Sequence, residues 1–212
     1  AGHEDGQPSA LSGSLGLLRR HEVQLLMGIR YLPPCYWGAV TLLIPLLIFR
    51  HTGTNTSVTG FSAVSLVVAA GFQLLTGHLC DRIGRWRPIL LSASFVVLSA
   101  VGLALAGDTL IGLYVFGVMA AASAWSLSTT MPGLLRLIAR NGESGHVVGM
   151  AHVAWSAGML SGNIGGGRLV EWGSVVPFTV AAVFCLGAVG CGIGLYRFYR
   201  ATDRPPDRTH IE

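Results

Sequence analysis

Gly77-His-Leu-Cys-Asp81-Arg82-Ile-Gly84-Arg85-Trp-Arg87-Pro88 joins two stretches, about 58–80 and 89–107, that are apolar almost throughout. Two such stretches around a short basic turn read as two helices that cross a hydrocarbon layer and reverse. A helix spanning a ~30 Å core needs about 20 apolar residues. Gly84 suits the reversal, because glycine reaches backbone conformations closed to other residues. Pro88 fits the first turn of the helix that follows. Asp81 and Arg85 are near enough to pair locally, and Asp81 can point at a neighbouring helix N-terminus, whose partial positive charge favours an anion.

The same reading extends along the chain. Further apolar runs lie at about 24–49, 109–138, 146–170 and 174–196, which makes six candidate spans in all. Their apolarity is continuous and not alternating, so helices are expected and barrel strands are not. Composition agrees. Hydrophobic residues make up 51% of the 212 and charged residues 11%, with a mean hydropathy of +0.59. A soluble domain carries about 25% charged residues, and a disordered chain is richer still in charge. Both classes are excluded. The four cysteines (Cys35, Cys80, Cys185, Cys191) lie in or beside apolar runs and read as small packers, so a disulfide-stapled secreted domain is excluded too. The 29 glycines suit helices that approach closely in lipid.

All 14 basic residues are arginine. They fall at polar breaks between runs and not on one soluble face, so no nucleic-acid partner is expected. Eleven (Arg19, Arg20, Arg82, Arg85, Arg87, Arg136, Arg140, Arg197, Arg200, Arg204 and Arg208) collect on one side of a six-span arrangement. Only Arg50 and Arg168 lie on the other, and Arg30 is inside the first span. The arginine-rich side is expected to be cytoplasmic. The expected organisation is a cytoplasmic linker at 1–20, a six-span body at 21–200 and a cytoplasmic tail at 201–212, placed as a multi-pass protein of the cell membrane.

The spacing G-x-x-x-D-R-x-G-R-x-R in the loop, carried by Gly77, Asp81, Arg82, Gly84, Arg85 and Arg87, resembles the signature loop of the major facilitator superfamily of secondary transporters. The resemblance extends over the six-span body and implies an all-α half-bundle, one of the two six-helix halves such transporters build around a mid-membrane site. A polar segment ending in Leu17-Leu-Arg-Arg20 is similar to the connection between halves, which favours the C-terminal half over an N-terminal half with a trimmed start. The partners implied are a small-molecule substrate, the lipid bilayer, and either the missing N-terminal half or a second copy. The function implied is transport by alternating access, with drug or metabolite efflux by proton antiport as one form. The loop's role would be to hold the cytoplasmic gate.

In the fifth span, Gly149, Gly158, Gly162, Asn163, Gly166 and Gly167 resemble the glycine pattern of the superfamily's drug–proton antiporters, with Asn163 where that pattern carries proline. Gly158, Gly162 and Gly166 fall at i, i+4 and i+8 and make a flat groove for helix packing. Gly149, nine residues earlier than Gly158, faces elsewhere. Close packing and an antiport role both fit these glycines.

Polar groups inside spans are the candidates for a substrate cavity. Arg30, Pro34, Trp37 and Thr41 share one face of the first span. Arg30 could attract an anionic group or snorkel to the boundary. Ser123, Ser126 and Thr130 share a face of the fourth span, ahead of Pro132. Trp155, Met159 and Asn163 share a face of the fifth. By the family's arrangement, Gln73, Trp125, Trp155 and Asn163 also face the cavity, so the candidates are Arg30, Trp37, Gln73, Ser126, Trp155 and Asn163. All ten carboxylates sit in loops, tails or span edges, so an acid for proton coupling is expected in the missing half. His152 is the nearest titratable substitute.

No enzyme is expected. Gly142-Glu-Ser144-Gly145 shares its lettering with intramembrane serine proteases, but it lies in a polar loop and the sixth span holds no histidine. No G-x-x-x-x-G-K-[ST] occurs, and no cofactor or metal is expected. A non-transporting scaffold or a channel subunit stays open as the alternative.

Overall fold

A computed structural model describes residues 16–84, 86–140 and 142–201. Most of the expected linker, Arg85 and the tail beyond Ala201 lie outside the described residues. Six long helices follow in order: α1 His21–Thr52, α2 Asn55–Ile83, α3 Trp86–Ala106, α4 Leu110–Ile138, α5 Ser144–Leu169 and α6 Val176–Ala201. A single 3-10 turn, Val170–Trp172, extends α5. Each apolar run of the sequence forms one helix, most of them lengthened by about a turn into their polar flanks. The chain is an all-α membrane bundle.

The helix ends follow local chemistry. Gly53 closes α1 with φ 67° and donates its N–H to the Phe49 carbonyl at 2.8 Å. The Thr109 hydroxyl caps α4 by accepting from the Gly112 N–H at 3.0 Å. Gly84 turns the chain between α2 and α3 with φ 82°, a region that residues with a Cβ rarely enter.

The six helices are not equally apolar. Five helices are each long and apolar enough to cross a membrane, and α5 is not among them. Its 26 residues suffice in length, but seven glycines, two histidines, Asn163 and Arg168 lower its apolarity. Packing carries it instead. Successive contacts step along α5 from Gly158 through Gly162 to Gly166 as they step along α1 from Tyr31 through Cys35 to Ala39, so the two helices run parallel.

The six helices form two sets of three. Exchanging α1 with α4, α2 with α5 and α3 with α6 maps the main packing partners onto one another. As α1 lies against α5 and α6, so α4 lies against α2 and α3, and α3 meets α6 between them. One core cluster, with Tyr36, Leu43, Ile44, Leu103, Leu113 and Phe178, fills the arginine-poor end. A second, with Val23, Leu26, Leu134, Ile138, Val147 and Leu195, fills the arginine-rich end. Large apolar side chains cover the outside: Val67 is 74% exposed, Leu74 78% and Leu105 80%. In water such a surface would aggregate; in lipid it is the ordinary outer face.

Candidate functional site

α1, α4 and α5 border a half-open hollow of about 90 Å³ whose lining includes Arg30, Trp37, Trp125, Ser128, Met131 and Trp155. Prolines shape its walls. Pro33 and Pro34 lack an N–H, so the carbonyls of Ile29 and Arg30 lose their usual i+4 donors; Pro132 does the same to the Ser128 carbonyl. Carbonyls without their i+4 N–H therefore occur on both α1 and α4, the two helices that exchange under the internal symmetry. Arg30 is half-buried, and its Nε donates to the Ala151 carbonyl of α5 at 3.4 Å. That long bond uses one of five guanidinium donors. A carboxylate or phosphate entering the hollow could take two of the rest in bidentate fashion, while the three indoles offer apolar faces to an attached body.

The sequence candidates divide here. Arg30, Trp37 and Trp155 come together with Trp125. Gln73 is half-buried on α2 and Asn163 half-buried on α5, and neither lines this hollow. Ser126, 3% exposed, lines a separate and larger cavity of about 370 Å³ between α2, α3 and α4. The reason is rotational. Trp125 and Ser128 face α1 and α5, whereas Ser123 and Ser126 occupy the opposite face toward α2 and α3. Ser128 and Met131 were not singled out in the sequence, although the i, i+3 spacing from Trp125 to Ser128 carries the signal.

The glycines of α5 also divide. A Cβ at Gly158 would overlap the Tyr31 carbonyl oxygen and lie 2.9 Å from the Pro34 Cβ. One at Gly162 would overlap the Cys35 carbonyl oxygen, and one at Gly166 would lie 3.0 Å from the Ala39 Cβ. Gly38 of α1 returns the fit, since its Cβ would overlap the Met159 carbonyl oxygen. Gly149 faces open space, and Gly167 makes only ordinary contact with Leu42 at 3.8 Å.

In the loop between α2 and α3, Asp81, Arg82 and Arg87 are exposed and Gly77 is half-buried, with open space where a Cβ would stand. The expected Asp81–Arg85 pair lies outside the described residues. Trp86 anchors the start of α3 edge-on against Tyr196 of α6, with ring centroids 5.4 Å apart.

Sequence reading missed one constellation. Arg20, just ahead of α1, donates to Glu22 at 2.8 Å, to Glu143 at 2.6 Å and to the Ile138 carbonyl at 3.2 Å. Partial burial disfavours the charged guanidinium, but the two carboxylates outweigh it and hold its pKa above the usual arginine value. Glu143 is the residue that precedes α5, so the cluster ties the start of α1 to the start of α5. Glu22 is buried within it and not simply an edge carboxylate.

No curated protein matches the chain. A family model described as Major Facilitator Superfamily matches residues 2–141, about two thirds of its length, ending in the connection between α4 and α5.

Proposed function

The chain belongs to the major facilitator superfamily, whose members carry small molecules across lipid bilayers, and from that premise we propose that it forms one six-helix half of a secondary transporter. The substrate is a small amphiphile with an anionic group, bound against the hollow of α1, α4 and α5. Arg30 holds the anion, and Trp37, Trp125 and Trp155 hold its apolar body. The observation that carries this reading is a guanidinium deep in a span, half-buried, with three tryptophans around it. A charge in such a place is costly unless function retains it.

The other wall of the site comes from a missing half or a second copy, and the substrate moves by rocking of one half against the other. Asp81, Arg82 and Arg85 act on that conformational balance at the cytoplasmic gate, and both termini are cytoplasmic. Among the described residues the carboxylates stand at helix ends and connections, as with Glu22, Asp81, Asp108, Glu143 and Glu171. Proton coupling, in an efflux antiporter, then draws its acid from the other half. Ser144 is exposed at the start of α5, which gives the protease reading no enclosed nucleophile.

The test is a fluorescence titration of the full chain in proteoliposomes, with Trp86→Phe and Trp172→Phe leaving only the three indoles of the hollow. Benzoate is expected to change the emission saturably, and benzamide, its neutral counterpart, to bind at least tenfold more weakly. Arg30→Gln should abolish that preference and Arg30→Lys should keep part of it. Equal responses to benzoate and benzamide, or a preference that survives Arg30→Gln, would remove the anion site.

A further inference from the structure

His51 stands in the last turn of α1, exposed at the arginine-poor end. Its ring sits between two backbone carbonyls. Nδ1 is 2.9 Å from the Leu47 oxygen, one turn back on α1, and Nε2 is 2.9 Å from the Asp108 oxygen in the connection between α3 and α4. A carbonyl oxygen only accepts, and a neutral imidazole has a single N–H, so it can serve one of the two. Both bonds together require the imidazolium, which donates from both nitrogens. The end of α1 favours that cation further, because the last carbonyls of a helix carry partial negative charge.

The connection presents its carbonyl from a bonded turn. The Gly107 N–H donates to the Leu103 carbonyl at 2.8 Å. Thr109 donates to the Ala106 carbonyl twice, from its N–H at 3.1 Å and its hydroxyl at 2.8 Å. The charged groups at this end are Arg50 beside His51 on α1, the Asp108 carboxylate on the connection, and Arg168 and Glu171 where α5 ends, all exposed. The starts of α2, α4 and α6 bring no charged side chain, and Tyr114 of α4 donates its hydroxyl to the Ser57 carbonyl at 2.8 Å. Among the described histidines, His21, His78, His146 and His152 stand toward the other end.

We propose that His51 is a proton-binding site, open to the aqueous phase on the arginine-poor side, whose proton ties α1 to the α3–α4 connection. α1 packs with α5 and α6, and the connection belongs to the set of α2, α3 and α4, so the proton joins the two sets at this end. The sign follows from the bonds. In acid the ring donates to both carbonyls. A neutral ring sets one bare nitrogen lone pair against a carbonyl oxygen, and that repulsion turns it out of the gap. The tie is therefore present at low pH and released as pH rises through the range of about 5 to 8 in which imidazoles titrate. It is independent of the Arg30 hollow and does not rest on the transport reading.

The experiment is amide hydrogen exchange of the full chain in proteoliposomes, compared at about pH 5.5 and about pH 8, on either side of imidazole titration. Protection factors, corrected for the intrinsic pH dependence of exchange, are read over residues 107–112. They are expected to be at least threefold higher in acid, the scale of one hydrogen bond. His51→Gln should remove the difference. The acceptor is backbone, so Asp108→Asn, which removes only the carboxylate charge, should keep it. Thermal unfolding in detergent confirms that each variant is folded. Equal protection at the two pH values in the unaltered chain would overturn the proposal, as would a difference that persists in His51→Gln. Its loss in Asp108→Asn would assign the contact to an ion pair instead of two carbonyls, and would overturn it too.

Discussion

The α1–α5 and α4–α2 pairs occupy equivalent places in the two three-helix sets, yet they are built oppositely. α5 meets α1 backbone to backbone, with Gly158, Gly162 and Gly38 set where any side chain would overlap a carbonyl. α2 meets α4 through side chains. Tyr114 donates to the Ser57 carbonyl at 2.8 Å, and Phe61 packs edge-on against Tyr114 with centroids 5.6 Å apart. Farther along that pair the helices separate around the cavity of Ser126. Gly60, Gly71 and Gly77 of α2 face open space, so glycine content alone does not make a seam. In lipid, where apolar burial drives helices together only weakly, close backbone approach is the main source of attraction. The symmetry thus sets which helices meet, and side-chain size sets how tightly. One pair is a fixed wall and the other leaves room.

The strongest way to break this contrast is to place a methyl group in the seam. Gly162→Ala should destabilise the bundle by about 1–3 kcal/mol, the cost of overpacking a site that cannot give way, because the group in its path is the Cys35 backbone. Thermal unfolding in detergent measures it, and an unchanged midpoint would mean that α1 and α5 are not held at this distance. A smaller effect is expected at the end of the same seam. Glu143→Gln leaves Arg20 with one carboxylate fewer and should cost about 1 kcal/mol, modest because the pair is partly open to solvent. The loss should shrink in the double variant with Arg20→Gln; full additivity would show that the two residues act independently. The smallest change sharpens the comparison from the other side. Gly71→Ala, with free space around it, should be neutral or stabilise by up to about 1 kcal/mol through helix propensity alone. A destabilisation as large as that of Gly162→Ala would erase the distinction between the pairs.

Much of the fold was legible because lipid demands it. A span must be apolar along its whole length, so the runs announced the helices and Gly84 announced a turn. α5 stands apart, since a helix that packs through glycine gives up apolarity for closeness. Periodicity placed Gly158, Gly162 and Gly166 on one face, and Ser123 and Ser126 on another. It could not say which neighbour each face meets. For that reason Ser126 was grouped with Trp155 although α4 separates them. The link from Arg20 to Glu143 crosses 123 residues and leaves no local pattern; both ends look like ordinary loop charges until the helices are assembled.

The bond from Arg30 to the Ala151 carbonyl spans 121 residues, and that distance has a meaning in time. Chains emerge during synthesis at about 5–20 residues per second, so Arg30 leaves the ribosome on the order of ten seconds before the strip of α5 that receives it. Through that interval the small-residue groove of α1 has nothing to mate with, and a guanidinium nine residues into the helix has no carbonyl from α5. The insertion machinery or a provisional neighbour must shelter both while three more spans are made. The earliest-made of these six helices is therefore among the last of them to reach its final surroundings.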